Sequence, residues 1–230
     1  RYITLGPNAT LVGLAFRLYD ADNVLGRGND IGITVALIPA NHPGVNIGRR
    51  HLPSGNAFPN GPNWGKDVFI PIDWVIGGAA QAGNGWRMLM ECLAAGRSIS
   101  LPSMSMAAGK MGSRASGAYA RVRSQFKTPI GNFEGIQEPL ARIGGSTYLM
   151  DGMRRMTMAA LDMGEKPSVI SAISKYHMTE RMRTILNDAM DIHGGKGICM
   201  GPNNYLGRAY QTVPIAITVE GANILTRSLI

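Results

Sequence analysis

Apolar positions follow two different rhythms along this chain, and the change falls near residue 78. Residues 10–18, Thr10 to Leu18, are rich in apolar side chains and short enough for a buried strand. A turn-rich break covers Asn23 through Asp30. Ile31 to Ile38 predicts a second strand, ended by Pro39 and the Pro43-Gly44 pair, and Val45 to Arg50 a third. Leu52 to Gly65 is loaded with Pro, Gly and Asn and predicts a loop. Lys66 to Val75 alternates, with Val68, Ile70 and Ile72 on one side, and predicts the last strand.

Past Gly77-Gly78 the period is helical. A first helix is predicted from Trp86 to Phe126, kinked or split at Pro102, which has no N–H to donate. Thr128-Pro129-Ile130-Gly131 breaks the chain. A second helix runs from Glu138 to Met163 with Pro139 in its first turn, where the missing N–H costs nothing. Gly144-Gly145 is a weak spot or a close-packing point within it. Gly164 through Pro167 is a connection. A third helix runs from Ser168 to His193 and is stopped by Gly194-Gly195-Lys196-Gly197. A loop with Pro202, a short helix near Leu206, an interruption at Pro214 and a last helical segment after Glu220 complete the pattern, with Ile230 falling mid-helix. Strands followed by helices predict an α+β chain of two segregated parts, β-rich over 1–78 and an antiparallel helical bundle over 79–230. The opening Arg1-Tyr2-Ile3-Thr4-Leu5, already strand-like and without Met, gives the expectation of a fragment cut at both ends.

Composition narrows the class. Of 230 residues, 45% are hydrophobic and 17% charged, which suits a buried core and excludes a disordered chain. No run of eighteen apolar residues suggests a membrane span, and there is no signal peptide. Cys92 and Cys199 form no CxxC pair and no disulfide framework, so a reducing, cytoplasmic setting is expected. The Asn8-Ala9-Thr10 sequon is read as chance. The formal charge of +8 would suit nucleic acid, anionic lipid or a phosphate-rich ligand. Its basic residues are scattered, from Arg49-Arg50 to Arg181 and Arg183, and are not interleaved with aromatics on one stripe, so no nucleic acid is expected.

Chemistry has few places to sit. His42, His51, His177 and His193 show no metal-ligand spacing, no Glu-x-x-His pair suggests a di-iron bundle, and no metal is expected. No Gly-x-Ser-x-Gly elbow is present. Gly194-Gly195-Lys196-Gly197 reads either as a phosphate cradle or as a helix C-cap. Val219-Glu220-Gly221-Ala222-Asn223 sets one carboxylate between an apolar run and a helix start. That carboxylate is either an acid favouring the helix dipole or a base in an apolar pocket, where burial raises its pKa.

Taken together, these segments resemble the acyl-CoA dehydrogenase family along the whole chain. The resemblance rests on Tyr2-Ile3-Thr4, on His42-Pro43-Gly44-Val45 with Ile47-Gly48-Arg49, and on Gly83-Asn84-Gly85-Trp86 with Gly96-Arg97. It continues through Tyr119 with Arg123-Ser124-Gln125-Phe126, the Gly194-Gly195-Lys196-Gly197 turn and Val219-Glu220-Gly221. The wording is most like the bacterial long-chain FadE type. Departures are Tyr2 for the usual Trp, Lys127 for the usual Gly after Phe, and Ala94, Glu134 and Asp191 at positions where other members differ. The interval from Arg208 to Glu220 is longer than in medium-chain members.

The resemblance implies a barrel-like β middle domain, a C-terminal bundle and a missing N-terminal helical domain. It also implies FAD-dependent α,β-dehydrogenation of fatty acyl-CoA to trans-2-enoyl-CoA, the first step of β-oxidation, with Glu220 as catalytic base. Cofactor contacts would come from Tyr2, Thr4, Arg123, Phe126, Gly194, Gly195, Gly221 and Asn223, and substrate contacts from Arg97 and Val219. Arg123 and Phe126 would act across a subunit interface of a homo-oligomer. Electrons would leave to an electron-transfer flavoprotein, and CoA and FAD, both polyanions, suit the positive charge. The alternatives are an acyl-CoA oxidase passing electrons to oxygen and a non-catalytic helical binding protein. Membrane association of the whole protein is left open beside the cytoplasmic reading.

Overall fold

The computed structural model describes residues 1–228, and the expectation that the last helix reaches Ile230 lies outside them. The chain divides into two compact units, Arg1–Met90 and a second beginning at Glu91.

In the first unit, strands β1 (Tyr2–Thr4), β5 (Asn60–Gly65) and β4 (Val45–Ile47) form one sheet in the order β1-β5-β4. Strands β2 (Leu11–Tyr19) and β3 (Asp30–Pro39) form a separate antiparallel pair, with Leu11 opposite Pro39 and Phe16 opposite Thr34. Pairing among the described residues of this unit thus gives two small sheets and no closed barrel. β2 is not the buried strand predicted: only Val12, Phe16 and Leu18 are half-buried, and alternate residues face outward. Thr34, Ala36 and Ile38 of β3 are fully buried and carry this unit's core with Val75 and Ala82.

The stretch predicted as a loop contains β5, the central strand of its sheet. Its Gly and Asn residues serve close backbone approach rather than turning: a Cβ at Gly61 would lie 2.9 Å from the Arg49 carbonyl. Neighbours on both sides pair with it, as in Asn63 N–H to Arg1 O at 2.7 Å and Gly48 N–H to Pro62 O at 2.8 Å. Tertiary pairing overrides the local propensity. Conversely, the strand predicted over 66–75 forms no ladder: Asp67 is left-handed at φ 51° and Ile72–Trp74 close into a 3-10 turn. Val68 and Ile70 pack on the core, and one isolated bridge joins Ala36 to Val75. The alternation is met by packing, not by pairing.

Helix α1 (Gly78–Gln81) leads into α2 (Gly85–Val122). Glycine is required in this entry, because Gly83 has φ +89° and a Cβ there would lie 2.3 Å from the Ile31 carbonyl. A Cβ at Gly85 would lie 2.8 Å from the Ile33 carbonyl, so α2 starts directly against β3.

The second unit holds the rest of α2, then α3 (Glu134–Asp162), α4 (Ser168–His193), α5 (Gly195–Ile198), α6 (Gly207–Thr218) and α7 (Asn223–Thr226). Between α2 and α3 a hairpin of β6 (Ser124–Gln125) and β7 (Thr128–Pro129) turns at Phe126 and Lys127, both left-handed at φ 51° and 62°. Neighbouring long helices run antiparallel. Gly109 and Gly112 of α2 face Thr147 and Ile143 of α3 in reversed order. Arg142, early in α3, pairs with Asp188, late in α4, at 2.8 Å. The seam is filled by Leu101, Met106, Ile143, Met150, Met178, Met182, Ile185 and Leu186, all buried.

Prolines disturb this bundle less than predicted. α2 is one helix through Pro102 and ends at Val122. α3 begins at Glu134, so Pro139 lies inside it, beyond the first turn. α6 continues through Pro214 to Thr218. An interior proline costs about 3 kcal/mol and one hydrogen bond. Pro102 and Pro139 are buried in the bundle, where packing offsets that cost.

Candidate active site

Glu220 sits where α6 ends and α7 has not begun. The last helical bond of α6 is Val219 N–H to Ile215 O at 3.0 Å, so the Glu220 N–H is the first amide past the helix. Glu220 has φ 53° and Gly221 φ 90°. A non-glycine residue in the left-handed region costs roughly 1–2 kcal/mol, so its surroundings must hold it there. They do so with two cations on consecutive carbonyls. Arg97 Nε of α2 donates to the Glu220 carbonyl at 2.8 Å. Lys175 Nζ of α4 donates to the Gly221 carbonyl at 2.8 Å. Hydrogen bonds to charged groups contribute about 1.5–3 kcal/mol each, enough to cover the strain.

Gly221 is held to glycine by its left-handed φ and by close contact with Arg97. A Cβ at Gly221 would lie 3.0 Å from Arg97 Nη2. A Cβ at Gly96 would come 3.8 and 3.9 Å from the two Glu220 carboxylate oxygens, so the carboxylate faces a bare stretch of α2. Oε2 of Glu220 is buried and has no hydrogen-bond partner among the described residues. A buried oxygen left unpaired is costly, and such sites tend to be functional. Val219, before it, packs on the bundle core.

Lys175 is fully buried and its three donors go to three oxygens. Besides Gly221 O, these are Ile217 O at 3.3 Å and Asn223 Oδ1 at 2.6 Å. Its pKa is pushed down to about 8, first by burial and then by Arg97, while Glu220 and Glu180 pull the other way. Asn223 is buried as well, and its amide nitrogen donates to Thr179 Oγ1 and Glu180 Oε1, both at 2.9 Å. Its side chain is committed inside the protein. Sequence reasoning passed over Lys175, although Ser171, Ser174, Lys175, Met178, Thr179 and Met182 share one buried helical face. A lysine in that stripe was the available signal.

A second cluster gathers Arg123, Phe126, Gly194 and Gly195 along one open cleft of about 700 Å³, with Tyr119, Asp191, His193 and Lys196 among its other walls. Phe126 is 90% exposed at the hairpin tip. No atom lies within 4 Å of a Cβ placed on Gly194 or Gly195, so their backbone is open to a ligand. His193 forms the floor. Its Nδ1 donates to the Ala189 carbonyl at 2.7 Å, which leaves Nε2 to accept from the Tyr205 hydroxyl at 2.7 Å. The ring stacks on Tyr119 with centroids 4.3 Å apart. Burial lowers the His193 pKa and favours this neutral form.

The two clusters stand apart. Arg97 of α2 and Arg123, the residue just past its end, are roughly 39 Å apart at 1.5 Å per residue. Tyr2 and Thr4 belong to β1 in the first unit. Tyr2 is 68% exposed with its ring 5.2 Å from that of His51, and Thr4 Oγ1 accepts from Asn60 Nδ2 at 3.3 Å. Among the described residues no group of His, Cys, Asp and Glu is placed to hold a metal ion, and no helix is long and apolar enough to cross a membrane.

The antiparallel bundle has counterparts among known proteins. Residues 83–230 match the family described as acyl-CoA dehydrogenase, C-terminal domain. The chain belongs to the acyl-CoA dehydrogenase family. Protein HemX of Proteus mirabilis is 53% identical over 104 residues, 45% of this chain and 61% of that protein. The probable acyl-CoA dehydrogenase FadE10 of Mycobacterium tuberculosis is 26% identical over 200 residues, 86% of this chain and 30% of that protein. The crystal structure of an acyl-CoA dehydrogenase from Geobacillus kaustophilus superposes with a TM-score of 0.83 at 21% identity, over 99% of this chain and 58% of that one. The chain thus spans only part of the length of these curated relatives.

Proposed function

We propose that the protein carrying this chain oxidises fatty acyl-CoA to trans-2-enoyl-CoA with FAD as cofactor, the first step of fatty acid β-oxidation, and that Glu220 removes the α-proton. The observation that carries this reading is the Glu220 turn: a buried carboxylate oxygen with no partner, on a left-handed residue whose carbonyl is held by Arg97. A hydrogen-bonded carboxylate would have to give up a bond before accepting a proton. This one does not. The Glu220 N–H, just past α6, is the donor for the thioester oxygen as negative charge builds there. Arg97, through the Glu220 carbonyl, and Val219, through its packing, hold the base beside the substrate.

The residues fit a flavin dinucleotide. Arg123 and Lys196 supply positive charge for a pyrophosphate, Phe126 and Phe133 supply faces for an adenine, and Gly194-Gly195 lets backbone approach. When bound, FAD supplies the two-electron acceptor. Tyr2 and Thr4 are assigned to the flavin ring, and Gly221 to the space beside the base. Asn223 serves from beneath, by holding Lys175. Because one cofactor would not take both the Arg97 end and the Arg123 end of the same α2, Arg123 and Phe126 act on the cofactor of a second copy in a homo-oligomer. An electron-transfer flavoprotein then takes the electrons, and the setting is cytoplasmic.

The test is an anaerobic titration of the flavin-loaded whole protein with palmitoyl-CoA, followed by the visible flavin absorbance, beside Glu220→Gln. Bleaching is expected in the parent, with the rate in the variant lower by about 10²–10⁴-fold, the usual contribution of a positioned base. A flavin that stays oxidised with every acyl chain tried would overturn the reading.

A further inference from the structure

We propose that Lys175 is a positioning residue for Glu220: a buried ammonium that clamps the turn bearing the base and keeps a positive charge beneath it. The inference rests on the reading of Glu220 as the base. Three features of Lys175 point this way. It is fully buried, yet its hydrogen-bond partners are neutral oxygens, not a carboxylate. Burying an ammonium that way is unfavourable, and an unbranched apolar side chain would fill the same volume without the penalty. Packing alone therefore does not account for a lysine here.

The placement of its donors is the second feature. Ile217 O is a carbonyl of the last turn of α6, Gly221 O belongs to the residue after Glu220, and Asn223 opens α7. One ammonium thus ties together the end of α6, the turn and the start of α7, with Glu220 inside the span. The third feature is charge. Arg97 of α2, Glu220 of the turn and Glu180 of α4 itself are the charged groups coupled to Lys175. With Arg97 on the Glu220 carbonyl and Lys175 on the Gly221 carbonyl, two cations hold consecutive carbonyls of the turn that carries the carboxylate. Lys175 touches neither substrate nor cofactor in this arrangement and acts through Glu220.

The experiment compares the flavin-loaded whole protein with Lys175→Met and Lys175→Arg, with Glu220→Gln as control for the base. The pH profile of kcat and the KM for palmitoyl-CoA are measured, together with amide hydrogen exchange of residues 219–223 in the protein without FAD. Lys175→Met is expected to lower kcat about 10²-fold, the scale of a reacting group displaced by an ångström, with KM changed only a few-fold. Lys175→Arg, which keeps a buried cation, should recover most of the lost kcat. Exchange at 219–223 should quicken without change in α3. A purely structural lysine would lower stability without splitting kcat from KM or quickening exchange at 219–223 alone. Wild-type kcat and unchanged exchange at 219–223 in folded Lys175→Met would overturn the proposal while Glu220→Gln still reports on the base. If Lys175→Met is not recovered folded, the wild-type profile decides: kcat should fall above about pH 8, where Lys175 loses its proton, and a flat profile would overturn the proposal.

Discussion

Lys175 must keep its proton in a place that disfavours it, and this links the stability of the fold to pH. Its pKa is about 8 in the folded chain against an ordinary 10.5. Below about pH 8 both folded and unfolded chains hold the proton, and the group contributes no slope. Between 8 and 10.5 the unfolded chain holds more protons than the folded one, so this group makes stability rise with pH. Above 10.5 both are neutral and the gain is complete. Urea midpoints measured from pH 7 to 11 should therefore contain a rising component over 8–10.5 that Lys175→Met lacks; identical profiles for the two proteins would show that the lysine is solvated after all. The same residue marks a limit of sequence reading at this scale. The local pattern left Glu220 between a helix-dipole acid and a buried base, and the resemblance to the family, not spacing, singled out Glu220 and Gly221. Lys175 and Asn223 act through a hydrogen-bond geometry that brings α4 against the turn between α6 and α7, and no local pattern announces that contact.

Single elements show why some predictions failed and others held. Helix α4 matched its predicted limits, since Pro167 before it and Gly194 after it leave little choice of ends. β5 did not, because Pro, Gly and Asn in a row usually mean a turn, and here the glycine makes room for a neighbouring backbone. Pro102 of α2 and Pro139 of α3 sit inside helices because buried packing outweighs a rule about isolated helices, whereas Pro214 of α6 is exposed and has no such packing. The β6–β7 hairpin carries a testable consequence. Its two-residue turn puts Lys127 at φ 62°, a conformation that suits glycine. The conformational cost at Lys127 is roughly 1–2 kcal/mol. Replacing it with glycine removes that cost but adds about 0.5–1 kcal/mol of backbone entropy to the unfolded chain. Lys127→Gly should then stabilise the protein by up to about 1 kcal/mol in urea unfolding. A loss of stability would mean that the turn does not hold this conformation.

At the scale of the whole molecule, the change from strands to helices near residue 78 was visible in the hydrophobic period, and the family in the order of its short segments. The sequence pattern does not reveal that the Glu220 turn and the Arg123 cleft occupy opposite ends of the bundle. α4 itself carries Lys175 near its start and His193 at its end, roughly 27 Å apart at 1.5 Å per residue. Closed two-fold assemblies bring such opposite ends together by symmetry, each copy lending to its partner what it does not use itself. Under that arrangement a complete site takes Glu220 from one copy and Arg123 from another. Arg123→Ala and Glu220→Gln should each leave little palmitoyl-CoA oxidation when produced alone. Produced together, they form mixed assemblies in which one site draws an intact Glu220 from the first variant and an intact Arg123 from the second. Activity should then exceed the sum of the two variants assayed separately, and it should fall back when the mixture is assembled from separately purified, non-exchanging oligomers. If both residues served the same site from one chain, every site in the mixture would carry a defect, and mixing would restore nothing.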